Sequence, residues 1–177
     1  MKLDEIMPIE KWIELEKEIN RKSGLNAAVF DAAGVRITDF KKWANRLCPA
    51  IRETGKGLKF ICSVAHQNIA AQAFKTGKTR VAECDAGLMK FAVPIFLIDD
   101  FLGVVGGCGL LRHPAQIDAY LVHRTTGLEE AAVKSLSEDI ETIPAHCLAT
   151  VVDYLEHKVV DIVREYRAGY LNVAKTL

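Results

Sequence analysis

The sequence has no excess of either charge. Twenty-three Lys and Arg balance twenty-three Asp and Glu, and no basic patch interrupts the balance, so nucleic-acid binding by this segment is disfavoured. No apolar run reaches the ~20 residues a membrane span needs. The opening MKLDEIMPIEKW is acidic and amphipathic and lacks the apolar centre of a signal peptide. A cytoplasmic location without membrane attachment is the expectation. Cysteine is scarce: there are five, an odd number with no Cys-x-x-Cys, which argues against a disulfide framework and for reduced thiols or metal ligation. Motifs of catalysis are missing too. The chain has no G-x-x-x-x-G-K-[ST], no G-x-S-x-G and no H-E-x-x-H, and it is read as a non-enzyme.

What remains is ordinary globular material. Of 177 residues, 50% are apolar and 26% charged, enough for one domain with a real core. Pro8 to Lys22 predicts an amphipathic helix on Ile9, Trp12, Ile13 and Ile19, interrupted by Glu16 and ended by Gly24. Asn26 to Phe30 and Val35 to Thr38 predict a hairpin turning at Asp31-Ala-Ala-Gly34. Asp39 to Thr54 predicts a helix from about Phe40, disturbed or split by Pro49. Leu58 to Phe74 predicts the clearest helix of this half, closed by Gly77.

Thr79 to Arg112 is the stretch around which the rest is arranged. Thr79–Cys84, Leu88–Ile98 and Phe101–Leu111 are apolar runs rich in β-branched residues. Asp85-Ala86-Gly87 and Asp99-Asp100 separate them, which predicts a three-stranded meander. Pro94 predicts a bulge or an unpaired position in the middle strand. Gly103, Gly106, Gly107 and Gly109 thin the third strand, as happens at bulges and where a ligand or another backbone comes close.

Cys84-Asp85-Ala86-Gly87-Leu88, Phe91-Ala92-Val93-Pro94-Ile95 and the glycine-rich strand after Leu102-Gly103 resemble the PocR-type sensory domain. Its usual motif is Cys-His-Ala-Gly-Leu, a short spacer, Ala-x-Pro-Ile and a Gly-rich strand. The resemblance runs from about Lys11 to about Arg167. It departs at Asp85, where the family's usual residue is His, and at Cys108, where many relatives are expected to lack a thiol. It implies a PAS-like ligand-binding fold that precedes output modules in bacterial regulators and senses small organic molecules. The fold expected is therefore α+β, with an antiparallel PAS-like sheet of about five strands covered by helices. Residues 1–143 form the sensory domain and residues 144–177 a long signalling helix.

Several side chains could carry the chemistry. Cys48 and Cys62, on helices expected to cover the sheet, could face Cys84 and Cys108. Four such thiolates suit Zn²⁺ or an iron–sulfur cluster; alternatively each is a small buried hydrophobe, as free Cys often is. His66 shares a helical face with Cys62 and is a ligand or a pocket hydrogen-bonding group, or has an ordinary structural role. Asp85 either orients a ligand at the pocket edge or serves the turn. Trp43 and Phe60 wall an apolar pocket or belong to the core. With Cys84, Gly107 and Cys108 these complete the expected ligand site. The two functions weighed are a sensory module for a small organic molecule and a metal or redox sensor on the four cysteines.

The last third reads as helical, over Pro114–Arg124, Leu128–Ile140 and Pro144 to about Lys175. In the last helix Leu148, Val152, Leu155, Val159, Ile162, Tyr166, Gly169 and Val173 make a heptad stripe. The late part is expected to pair with a second copy, giving a parallel homodimer through Val159 to Val173 that drives a downstream output module.

Overall fold

The computed structural model describes residues 1–174, and side-chain surroundings through Gly169. Two N-terminal helices, α1 (Leu3–Ile6) and α2 (Ile9–Ser23), lead into strand β1 (Asn26–Asp31). After an irregular stretch come α3 (Leu47–Glu53), a π-helical segment (Leu58–Ser63) and α4 (Val64–Thr76). Strands β2 (Arg80–Glu83), β3 (Met89–Leu97) and β4 (Asp100–Leu110) follow, then α5 (Ala119–Thr126), α6 (Glu130–Ser137) and α7 (Ala145–Ala174). The sheet is antiparallel, in the order β1-β4-β3-β2. The α+β architecture with a long final helix is as expected, with four strands rather than about five.

The strand that falls short is the return of the first hairpin. Asp31 and Ile37 donate to the Val35 and Val29 carbonyls, but only Phe30 and Arg36 form a bridge. The chain there is drawn off the ladder by its side chains. Arg36 Nη2 donates to the Ala27 and Phe40 carbonyls and to the Glu16 carboxylate of α2 at 3.4 Å. Thr38 Oγ1 donates to Glu16 Oε1 at 2.6 Å, and the Val29 amide donates to the same oxygen at 2.9 Å. Glu16, read from sequence as a break in an apolar stripe, is fully buried and ties α2 to β1 and to this segment.

Helix boundaries differ where the chain is crowded. Pro49 does not split a long helix. It sits in the first turn of the short α3, where its missing N–H is not needed. Helix formation begins at Leu47 rather than at about Phe40, and the Leu58–Phe74 helix is divided into the π segment and α4. Gly24 ends α2 in the left-handed region, φ 73°, with its amide on the Asn20 carbonyl.

Alternation along the strands sends side chains to two layers. Ala27, Val29, Phe91, Val93, Ile95 and Val105 pack with Trp12, Ile19, Leu155 and Val159 of the terminal helices. Ala92 and Val104 face Ile69 and Ala73 of α4 on the other side, with Phe30 against them. The α7 stripe is spent in the first layer. Leu148, Leu155 and Val159 are buried there, and Ile162 and Tyr166 pack against it. The expectation that residues from Val159 onward lie beyond a single-domain core is therefore corrected for Val159, Ile162 and Tyr166. Gly169 is exposed; Val173 lies outside the residues whose side chains are described, and Lys175 outside the described chain.

Candidate functional site

The α4-facing side of the sheet carries an unusual row. Strand register places Asn26 of β1 opposite Cys108 of β4, and Cys108 opposite Lys90 of β3. The next row on that face is Ala28, Gly106 and Ala92. Small side chains in the second row leave a cavity under α4, lined also by Phe30, His66, Ile69 and Val104. Its volume is about 10 Å³ for the centre of a water-sized sphere, room for about one water.

The rows are aimed by a bulge. Register shifts between Met89 and Lys90, leaving Gly109 unpaired at φ 107°. Its freed carbonyl accepts from Asn45 Nδ2, and Asn45 Oδ1 accepts from the Cys48 amide at 2.7 Å. One Asn side chain thus fixes the start of α3 to the sheet beside the cavity. Bulges next to sites commonly re-aim side chains in this way.

Polar groups in the cavity lack partners. Lys90 is 4% exposed, and among the described residues its ammonium has no hydrogen bond or ion pair. Burial lowers its pKa, while the potential charges of Cys108, Cys84, Cys62 and Cys48 pull the other way. Asn26 Oδ1 is buried with no donor. His66 stacks obliquely on Phe30, ring centres 4.2 Å apart. Its imidazole is held well below the usual range, first by burial and then by the positive charges of Lys90, Arg52 and Arg36, so it is neutral.

The four cysteines do gather here, since each acts electrostatically on Lys90. Burial pushes the Cys48, Cys62 and Cys84 thiols up, so they are neutral. Among the described residues no three His, Cys, Asp or Glu side chains are placed to hold a metal ion. A lysine among the thiols is also the wrong neighbour for a cation. Cys48, Cys62, Cys84 and Cys108 therefore do not fit Zn²⁺ or an iron–sulfur cluster in this arrangement. With iodoacetamide at about pH 8, where an unperturbed thiol reacts, folded protein should leave Cys48 and Cys84 unmodified, whereas urea-unfolded chain should take label at all five cysteines. Intact mass counts the adducts; rapid labelling of either thiol in the folded state would contradict this burial.

Other expected site residues are distributed differently. His66, Gly107 and Cys108 line the cavity. Gly107 does so with backbone only, because a Cβ there would point to the opposite layer, 3.0 Å from Leu25 Cβ and 3.2 Å from Phe91 Cε1. Cys84 packs in a neighbouring cluster with Leu47, Ile51, Ala86 and Leu88. The Cys84–Leu88 motif is a closed turn, with Cys84 N donating to the Leu88 carbonyl and Gly87 N to the Cys84 carbonyl. It buries Ala86 and Leu88. Asp85 is exposed and does not line the cavity. Trp43 is half-buried with Arg52 over its ring at 5.6 Å, and Phe60 is 49% exposed; neither walls the cavity. Lys90 and Asn26 were missed. The available signal was Lys90 itself, the one charged residue between Gly87 and Asp99.

The antiparallel sheet thus buries one face under the terminal helices and holds a small polar-lined cavity under α4 on the other. The family model for the sensory domain found in PocR matches residues 5–166, and the chain belongs to that family. Comparison with curated proteins and with solved structures gave no match. No helix among the described residues is long and apolar enough to cross a membrane.

Proposed function

We propose that the chain is the sensory module of a bacterial signal-transduction or transcription regulator, and that it takes a small organic molecule in the cavity between β3, β4 and α4. The observation that carries this reading is the pair of polar residues facing that space from the sheet, the buried Lys90 and Asn26, whose Oδ1 is buried without a donor. An unsatisfied buried polar group costs ~1–3 kcal/mol, so a cavity built from them favours an occupant that satisfies them. Room for one water means that an organic ligand must displace the cover. The π-helical segment (Leu58–Ser63) lies between Gly55 and α4, and π turns recur at functional sites.

Strand β3 is the relay. Lys90 and Ala92 face the cavity, while Phe91 and Val93, alternating with them, pack in the layer that holds α7. Occupancy would bias α7 between two arrangements to the extent that the ligand's affinities for them differ, and α7 would pass this to an output domain or partner. Pairing of two copies along α7 remains part of this reading only through surfaces other than the packed Val159, Ile162 and Tyr166.

Val104→Phe tests the site by filling the cavity. A panel of short alcohols, diols, amines and carboxylic acids is screened by thermal shift, and hits by amide hydrogen exchange. Hits should stabilise the unmodified protein and protect both β3 and α7, and should have no effect on Val104→Phe. Equal stabilisation of the filled variant would remove the cavity as the site. Protection confined to β3 and α4 would remove α7 as the relay.

A further inference from the structure

We infer that the cavity is a site for a short hydroxycarboxylate, with Lys90 pairing with the carboxylate and Asn26 holding the hydroxyl. The inference rests on the sensory reading above and narrows its ligand. Three observations meet in it. The first is a buried lysine with no acceptor. An uncompensated cation in an apolar site is costly; of the thiols around Lys90, burial holds Cys48, Cys62 and Cys84 in the neutral form, and Cys108 lies opposite it in the register. The second is the sign of the field. The charges that act on neutral His66, across the cavity from the sheet, are Lys90, Arg52 and Arg36, all positive. An anion is what this surface lacks.

The third observation is Asn26. Its Oδ1 is buried without a donor, two strands from Lys90 in the same row and bridged to it by Cys108. A carboxylate alone would satisfy Lys90 and leave this oxygen bare; a hydroxyl on the adjacent carbon would donate to it. The neutral His66 ring offers one further donor or acceptor. Ile69, Val104 and Ala92 make the remaining wall apolar, which favours a short chain over a longer polar one. Polarity points to small hydroxy acids such as glycolate and lactate, which, like any organic ligand of this one-water cavity, enter by displacing its cover.

The test titrates the full chain with glycolate, lactate, propionate and ethylene glycol at constant ionic strength, with sodium chloride as the control for a simple anion effect. Saturating glycolate or lactate should raise Tm by roughly 5–10 °C. Propionate, lacking the hydroxyl, should give a smaller shift, and ethylene glycol, lacking the charge, none. Lys90→Met should fold with unchanged or higher Tm, since replacing a buried charge by an apolar chain is often stabilising, and should lose the response to all three acids. Asn26→Ala should abolish the advantage of lactate over propionate. If Lys90→Met does not fold, the comparison of lactate with ethylene glycol on the unmodified chain decides. Acids that shift Tm no more than chloride overturn the inference, as does an undiminished response in Lys90→Met. Stabilisation by ethylene glycol and not by the acids overturns it too, yet leaves the sensory reading standing; the Val104→Phe experiment judges that reading independently.

Discussion

Arg36→Ala should lower the unfolding free energy by about 3 kcal/mol, measured by urea denaturation at neutral pH. Breaking a buried ion pair by removing one partner costs ~3–5 kcal/mol. The lower end applies because 15% of the Arg36 side chain is exposed, although none of Glu16 is. The loss is electrostatic, so it should be much smaller in a Glu16→Gln background, where Thr38 and the Val29 amide keep an acceptor and no charge is stranded. It should also depend on pH. Burial holds the Glu16 pKa above its ordinary 4.5, against the pull of Thr38, Arg36 and Val29. A carboxyl with a higher pKa in the folded chain contributes its full stability below the unfolded value and loses it as pH rises through the folded value. Removing Arg36 raises Glu16 further. The deficit of Arg36→Ala should therefore be least near about pH 4 and grow towards neutrality. A deficit independent of pH would mean that Arg36 acts only as a donor to the Ala27 and Phe40 carbonyls.

Gly106→Ala should be comparably damaging, by about 3 kcal/mol, at the upper end of the ~1–3 kcal/mol usual for overpacking. A Cβ at Gly106 would fall on the Phe91 carbonyl, with the Ala92 Cα behind it. Backbone cannot rotate away as a side chain can, so β3 and β4 must separate, and they carry the cavity between them. Gly107→Ala meets Leu25 and Phe91 side chains at 3.0 Å and 3.2 Å and should cost nearer ~1 kcal/mol. Parallel urea titrations of the two variants test the ordering. If Gly107→Ala is the worse of the two, the close approach of β3 to β4 at Gly106 is not what requires glycine there.

These two cases also show what the sequence could and could not convey. Gly24 and Gly77 marked helix ends because a left-handed terminus has a strong preference for glycine. The meander from Thr79 to Arg112 was legible because apolar runs and turn residues alternate within one local stretch. Glu16 and Arg36 stand twenty positions apart, and neither belongs to a motif. A charge inside an apolar stripe reads as an interruption until the fold supplies its partner. Lys90 was hidden for a different reason. Both faces of β3 are buried, so the strand reads as a nearly continuous apolar run, and period-two alternation gives no hint of which layer receives the lysine. Trp43 and Phe60 illustrate the converse. Helical spacing marks a face, but it does not say whether that face turns to the sheet, and the π-helical segment turns Phe60 outward. The Cys84–Leu88 motif located the right region and the wrong atoms: its turn packs beside the cavity, whereas the cavity's charge comes from the strand that follows.

The shortened fifth strand has a consequence for how copies of this domain can coexist. A sheet edge with free amides and carbonyls is a template for another chain. Along β1 the outer edge is occupied by Val35–Ile37, which takes two hydrogen bonds and then leaves, held away by the Arg36 and Thr38 bonds to Glu16. The opposite edge, β2, is only four residues long, with Arg80 and Glu83 at its ends. Neither edge offers a long flat ladder. Copies brought close together, by a shared output module for instance, would be protected from edge-to-edge aggregation and strand exchange, so their association could be governed by helix faces and by ligand rather than by the sheet.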